Sequence, residues 1–354
     1  MTQQTFSQWT LPTTNGVDSL TFESNIPLSS IQPLGRHEVL VNLKAAALNY
    51  RDLMIAKGLT PGQIQPNIIP GSDGSGIVLA VGPSVSDFKA GDKVVTHMCP
   101  SLPKDQPASM TDISAGLGQT LPGTFRTHGI FPSTALVRMP SNLSFEQAST
   151  LTCSGLTAYN ALFGLSSHAV KKGDWILVPG TGGVSIAALQ FAVAAGATVV
   201  ATTSSDVKAG KLKELGAKHI VNYRREKDWG ESAKALLPSS YAAGFDLVLD
   251  LGGNETLPQS LAAVRPDGLV VCAGVLGKAD AEMVPMMSAL WRTCVIRGLL
   301  LGTRQQFLSM NKFIEEKDVR PVFDDEKVFK LEEAKEAFAL LERQGHFSKV
   351  VVTM

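Results

Sequence analysis

The sequence predicts an α/β protein of two domains, one rich in β-structure and one built on a doubly wound parallel sheet. Three observations carry this. The length of 354 residues exceeds one compact domain and suits two. Up to about Pro140 the chain is rich in Gly, Pro and short β-branched runs, the texture of antiparallel strands. From about Asn142 apolar runs of strand length alternate with helical patterns, as in a parallel sheet covered on both faces.

In the first stretch, residues 39–43, 76–81 and 93–96 read as strands bounded by turn residues such as Gly91-Asp92. Residues 98–123 hold many breakers and little periodicity, which predicts a long loop. Residues 143–163 carry apolar positions at helical spacing behind Ser144 and Glu146, predicting one or two helices. Strands are then expected at 175–179, 198–203, 219–222, 245–251, 268–273 and 295–301. Helices are expected between them at 184–195, 207–215, 229–237, 256–263 and 282–290. Further helices at 305–316 and 331–344 lead to a last strand at 349–353, which could rejoin the first domain. The expected domains are residues 1–141 together with 306–354, and residues 142–305.

Composition narrows the function. Thirty-two basic residues balance thirty-two acidic ones, which argues against a nucleic-acid partner but allows a local pocket for one phosphate. Charged residues make up 18%, below the usual share of about 25%, leaving surface for apolar substrates or a subunit interface. Cys99, Cys153, Cys272 and Cys294 are far apart and form no CxxC pair, so neither a disulfide framework nor a structural zinc site is expected. No signal peptide is evident at the N-terminus, and no apolar run approaches the roughly 18 residues of a membrane span. These features predict a cytoplasmic protein.

The most informative segment is Trp175-Ile-Leu-Val-Pro-Gly-Thr-Gly-Gly-Val-Ser. It reads as a buried strand, a glycine turn and a helix start. Gly180 permits the tight turn. Gly182 and Gly183 let the backbone approach a pyrophosphate, and Val184 lies in the first helical turn, whose free N–H groups favour an anion. Ser185 takes the third glycine position. At the end of the next strand an Asp or Glu would indicate NAD. Thr203, Ser204 and Ser205 stand there instead, with Lys208 beyond, and neutral hydroxyls plus a cation suit the 2′-phosphate of NADPH. Asp206 lies close by and weighs against this, and Lys208 could equally be an ordinary helix lysine.

Taken together these residues resemble the medium-chain dehydrogenase/reductase superfamily, in its zinc-independent quinone oxidoreductase and enoyl reductase branch. The resemblance runs through Ala47-Leu-Asn-Tyr-Arg-Asp-Leu, Pro70-Gly-Ser-Asp-Gly-Ser-Gly, Gly91-Asp-Lys-Val, Gly155-Leu-Thr-Ala-Tyr, the glycine turn, Val221-Asn-Tyr-Arg and Gly345-His-Phe-Ser-Lys-Val-Val-Val. It implies a GroES-like β domain built from both chain ends, a Rossmann domain between them, and an active site in the cleft. It also implies that Lys208 and Tyr223 embrace the 2′-phosphate, and that Thr157 lies near the nicotinamide. The backbone at Gly274, Val275 and Leu276 and at Leu299, Leu300 and Leu301 would line the nicotinamide pocket. Lys349 could reach the nucleotide, or be a solvated charge at a strand end.

The resemblance also locates what is missing. The zinc alcohol dehydrogenases need Cys, His and Cys ligands, and the matching positions hold Asn49, Ser72 and Cys153. Both metal sites are expected to be absent. Without a Lewis acid, hydride addition to a double bond conjugated to a carbonyl is the less demanding reaction, since a neutral donor can stabilise the enolate. Asn49 and Tyr50 are the candidate catalytic groups, Asn49 as a hydrogen-bond donor and Tyr50 as a proton or oxyanion donor. Asp52 and Asp73 read as turn or interface residues, and Cys153 as an inert buried thiol.

The expected activity is NADPH-dependent reduction of an apolar enone, enoyl thioester or quinone. A zinc-independent alcohol dehydrogenase or carbonyl reductase is the alternative, as is a nucleotide-binding protein with little turnover. The apolar strand at 295–301 could pair with its twin in a homodimer.

Overall fold

A computed structural model describes residues 4–31, 33–278 and 280–354. The chain divides into two compact units. Unit 1 runs to Leu156 and resumes at Thr303; unit 2 is Thr157–Gly302. Unit 1 opens with β1 (Thr5–Thr10) and β2 (Thr21–Pro27), an antiparallel pair. There follow β3 (Glu38–Ala47), α1 (Tyr50–Ala56), β4 (Asp73–Val81), β5 (Lys93–Thr96) and α2 (Met110–Ser114). Then come β6 (His128–Pro132), β7 (Leu136–Arg138) and α3 (Phe145–Ser149). After α4 (Leu156–Phe163) unit 2 alternates: β8 (Trp175–Pro179), α5 (Gly183–Ala194), β9 (Thr198–Thr203), α6 (Asp206–Glu214), β10 (His219–Asn222) and α7 (Trp229–Lys234). It continues through β11 (Phe245–Asp250), α8 (Leu257–Ala263), β12 (Val264–Cys272), α9 (Ser288–Arg292) and β13 (Val295–Gly298). Unit 1 resumes with α10 (Arg304–Glu316), β14 (Phe329–Lys330), α11 (Ala334–Glu342) and β15 (Val351–Thr353).

Alternation along β3 builds unit 1. Val39, Val41 and Leu43 enter one core with Val78, Val94 and Phe131, while Ala46 enters another with Trp9, Phe125 and Phe338, as a period of two requires. The main sheet has the order β14-β15-β3-β4-β5-β7, with β6 also paired to β3. In unit 2 the strand centres are apolar; Ile176, Leu177, Val199, Val200 and Val248 are fully buried, as expected when helices cover both faces. Their order, β10-β9-β8-β11-β12-β13, is all parallel. This is the doubly wound order in which ligands meet the carboxyl ends of the strands.

Several boundaries differ from expectation. Residues 142–156 pack with unit 1, not with the second domain. Ser75 Oγ donates to the Phe145 carbonyl at 2.6 Å, and Thr152 Oγ1 to the Thr96 carbonyl at 2.7 Å. The helix expected at 282–290 is only the short α9, because Pro285 has no N–H and its ring blocks a preceding helical turn. The strand expected to reach Leu301 ends at Gly298, and Leu301 takes a left-handed φ of 57°, which breaks extended pairing. The loop at 98–123 contains α2, where Ser109 accepts from the Asp112 N–H and Asp112 Oδ2 from the Ser109 N–H. That Ser-x-x-Asp pattern was the available signal.

Among the described residues β13 is an edge strand. Around it and α9 stand large exposed apolar side chains: Met283 at 81%, Met286 at 90% and Trp291 at 78% exposure. Among the described residues no helix is long and apolar enough to cross a membrane.

Candidate active site

Asn49 sits between β3 and α1 in extended conformation. Its N–H donates to Asp52 Oδ2 at 2.8 Å, and the Asp52 N–H returns to the Asn49 backbone carbonyl at 2.9 Å. The carboxamide is therefore not spent on capping the helix. Its Oδ1 accepts from Lys349 Nζ at 2.5 Å. The same ammonium lies 3.3 Å from Asp73 Oδ2. Asp73 in turn accepts from Ser72 Oγ at 2.7 Å and from the Cys153 N–H at 3.2 Å. Asn49, Ser72, Asp73 and Lys349 are all buried. Lysine offers only donors, so chemistry requires the amide oxygen to face it. Asn49 Nδ2 is left buried with no partner among the described residues.

Two sequence expectations change here. Lys349 is not a solvated strand-end charge; it is 4% exposed, held by a Leu48 N–H to Val350 carbonyl bond and by the pairing of Val351 with Ala47. Asp73 is not a turn residue but the buried anion of this cluster. Tyr50, the first residue of α1, is 41% exposed and open to a ligand. Arg51 ties α1 to the 98–123 segment through the carbonyls of Leu117 at 3.0 Å and Ile113 at 3.4 Å.

The donor set does not fit a zinc ion. The three positions hold a carboxamide whose oxygen is committed to an ammonium, a hydroxyl already donating to Asp73, and a thiol. Burial, reinforced by the Asp73 charge, pushes the Cys153 thiol up to about 12, and the other two positions offer neutral amide and hydroxyl groups where a zinc site takes imidazole, thiolate or carboxylate. Among the described residues no group of three His, Cys, Asp or Glu is arranged to hold a metal.

Burial also raises the Asp52 carboxyl to about 6, with Arg51 opposing and Asp73 reinforcing the rise. Its folded pKa exceeds the unfolded value of 3.8, so the folded state holds the extra proton between them and stability falls as pH rises from about 4 to about 6. The full effect is about 3 kcal/mol. Asp52→Asn keeps an acceptor for the Asn49 N–H, and urea unfolding should show that decline reduced relative to the parent. An identical pH slope in the variant would contradict it.

In unit 2, Gly180 has φ 82°, a conformation that demands glycine. Gly182 does not: its φ is −80°, and a Cβ built there meets nothing within 4 Å. Neither backbone nor packing requires its missing side chain, which leaves space for a ligand above the turn. Among the described residues no side chain caps α5, so the N–H groups at Gly183 and Val184 stay open to an anion. Ser185 Oγ donates back to the Pro179 carbonyl at 2.7 Å. These features fit a dinucleotide pyrophosphate.

At the carboxyl end of β9, Thr203 Oγ1 accepts from the Ser205 N–H at 3.2 Å, and Ser205 caps α6 through the Lys208 N–H. Ser204 lies between them. The Tyr223 N–H donates to the Thr203 carbonyl at 3.1 Å, bringing its half-exposed ring to the same corner. Asp206 is paired with Arg225 and accepts from Asn222 Nδ2 at 3.1 Å, so its charge is compensated.

Gly274–Leu276 and Leu299–Leu301 follow β12 and β13 on that same side of the sheet. The Leu276 N–H reaches the Leu251 carbonyl at 2.9 Å and the Leu299 N–H the Cys272 carbonyl at 3.1 Å. Asn160, which sequence reasoning missed, donates to the Leu301 carbonyl at 2.7 Å and is clasped by Arg297. It anchors α4, and with it the buried Thr157 one turn away.

Comparison with known proteins agrees with this fold. Residues 35–141 match the family model described as alcohol dehydrogenase GroES-like domain, and residues 183–316 that described as zinc-binding dehydrogenase. The second match contains none of Asn49, Ser72 and Cys153. A zinc-type alcohol dehydrogenase-like protein of Schizosaccharomyces pombe is 44% identical over 326 residues, 91% of this chain and 92% of its own. Crotonyl-CoA carboxylase/reductase of Cereibacter sphaeroides is 32% identical over 272 residues, 68% of this chain and 63% of its own. The crystal structure of an NAD-dependent alcohol dehydrogenase superposes with a TM-score of 0.84 at 30% identity, covering 98% of this chain and 99% of that one.

Proposed function

Because the chain belongs to the medium-chain dehydrogenase/reductase superfamily, an oxidoreductase family that binds nicotinamide cofactors, we propose that it reduces an activated alkene or a quinone with NADPH and without zinc. The observation that carries this reading is the set at Asn49, Ser72 and Cys153, where Ser72 is spent on Asp73 and the Asn49 carboxamide keeps an uncommitted neutral N–H donor at a position that would hold a metal ligand. Such a donor suits the spread charge of an enolate better than the localised charge of an alkoxide. The reductase named among the relatives supports the same chemistry.

Bound NADPH supplies the hydride. Gly180, Gly182, Gly183 and Val184 would hold its pyrophosphate, and Thr203, Ser204, Ser205, Lys208 and Tyr223 its ribose phosphate. Compensation of Asp206 by Arg225 removes the nearest repulsion from that phosphate. Gly274, Val275, Leu276, Leu299, Leu300, Leu301 and Thr157 would line the nicotinamide. Asn49 donates to the substrate oxygen, and Tyr50 carries a proton to the α-carbon.

Labelled cofactor tests the reaction. Deuterium from the nicotinamide C4 should appear on the β-carbon of an enone, and solvent deuterium on the α-carbon. Label on a carbinol carbon, with the alkene untouched, would establish carbonyl reduction instead. Tyr50→Phe should lower turnover roughly 10-fold to 100-fold with cofactor affinity unchanged; unchanged turnover would remove Tyr50 from the chemistry.

The exposed edge of β13 and the Met283, Met286 and Trp291 patch favour a homodimer, since open edges and large apolar patches are rarely left uncovered. Light scattering should give roughly twice the 37.6 kDa chain mass, and Trp291→Glu should halve it. A monomeric parent would end this reading.

A further inference from the structure

We propose that Lys349 is a positioning residue: it places a fixed positive charge behind Asn49 and locks the carboxamide so that its N–H group faces a substrate oxygen. This rests on the reductase reading above and assigns to one side chain the electrostatic part of that site. Lys349 is 4% exposed and Asp73 is fully buried, so neither charge is held by water. The ammonium lies 2.5 Å from Asn49 Oδ1 and 3.3 Å from Asp73 Oδ2. Ser72 Oγ holds the other carboxylate oxygen, and the Cys153 N–H shares Oδ2 with the ammonium.

Backbone bonds on both sides fix the lysine. The Asp324 N–H donates to the Lys349 carbonyl at 2.9 Å, and the Leu48 N–H to the Val350 carbonyl at 2.9 Å. The second of these bonds lies one residue from Asn49. The ammonium and the amide are therefore carried by paired backbone, not by two mobile side chains.

The consequence follows from donor and acceptor counting. With Oδ1 committed to the ammonium, the amide cannot flip without setting N–H against N–H. Asn49 Nδ2 is then a buried donor with no partner among the described residues, a state proteins seldom keep unless a water or a ligand completes it. A cation on the amide oxygen also polarises the N–H outward and strengthens its bond to an oxyanion. A bound reduced nicotinamide dinucleotide would supply the hydride to the β-carbon and be oxidised in doing so. The alkene electron pair moves onto the carbonyl oxygen, and a proton then reaches the α-carbon to give the saturated carbonyl compound. Negative charge grows on the oxygen that Asn49 contacts.

Removing Lys349 alone strands the Asp73 charge, so the informative variant is Asp73→Asn with Lys349→Met, which neutralises both. It should fold, bind NADPH as the parent does, and lose roughly 100-fold in kcat with a far smaller change in KM. Adding Asn49→Ala to it should cost nothing further, because the lysine acts through that amide. Independent losses that multiply would overturn the inference, as would an unchanged kcat. A second measurement needs no turnover: 4-nitrophenolate, a stable aromatic oxyanion, should bind the parent at least 10-fold more tightly than the double variant. Enone reduction in the parent, with kcat and phenolate binding unchanged in the double variant, would refute the role of Lys349 and leave the reductase reading intact. No enone reduction, with phenolate binding that depends on Lys349, would refute the reductase reading and leave the oxyanion site standing.

Discussion

Gly182→Val is expected to weaken NADPH binding by at least about 100-fold, roughly 3 kcal/mol, while leaving the fold intact. Valine is tolerated at the φ of −80° found there, and nothing lies within 4 Å of its Cβ. The position is the N-cap of α5, where glycine is preferred to valine, so the substitution costs the helix about 1 kcal/mol, too little to unfold the unit. Only a ligand seated on the open N–H groups would meet the new side chain. Gly180→Val supplies the contrast: its φ of 82° makes valine strained, and both stability and binding should fall. Calorimetric titration and thermal unfolding of the two variants separate these causes. An unaltered dissociation constant in Gly182→Val would place the pyrophosphate elsewhere.

Lys208→Glu should weaken NADPH relative to NADH by roughly 10-fold to 100-fold, about 1–3 kcal/mol for one charge-assisted contact reversed. The effect should be read as a ratio of dissociation constants, which cancels any general damage to the site. Arg225→Ala adds a subtler arm. It releases Asp206 from its ion pair, and the freed carboxylate should erode the same preference, though only several-fold because both partners are exposed. Equal affinity of the parent for the two cofactors would end the NADPH assignment.

The parallel sheet and its glycine turn are legible in the sequence because local chemistry determines them. A strand buried on both faces must be apolar throughout, and a left-handed turn must be glycine, so β8 and Gly180 announce themselves without reference to distant residues. The Asn49 cluster is different. Lys349 lies 300 residues from Asn49 and 276 from Asp73, and the pairing of β15 with β3 brings them together. Nothing near Asp73 distinguishes a buried anion from a turn residue. The end of unit 1 is obscured for a related reason. Residues 142–156 have helical periodicity like the segments that follow, and the bonds from Ser75 and Thr152 that hold them to unit 1 have no pattern in sequence.

Unit 2 is a continuous stretch of chain set between two parts of unit 1, and this orders events during synthesis. All six of its parallel strands have been made by Gly298, so its sheet can close while unit 1 is still incomplete. Unit 1 must wait for Val351–Thr353, which lie between β14 and β3 within its main sheet. Until those residues emerge, β3 has a vacant edge and Asn49 and Asp73 lack their cation. At translation rates of roughly 5–20 residues per second, the half-built β unit persists for many seconds, from Arg138 until the chain returns to it. The same late strand that closes the sheet delivers Lys349, so the nascent protein acquires its charged site and its finished β domain in a single step.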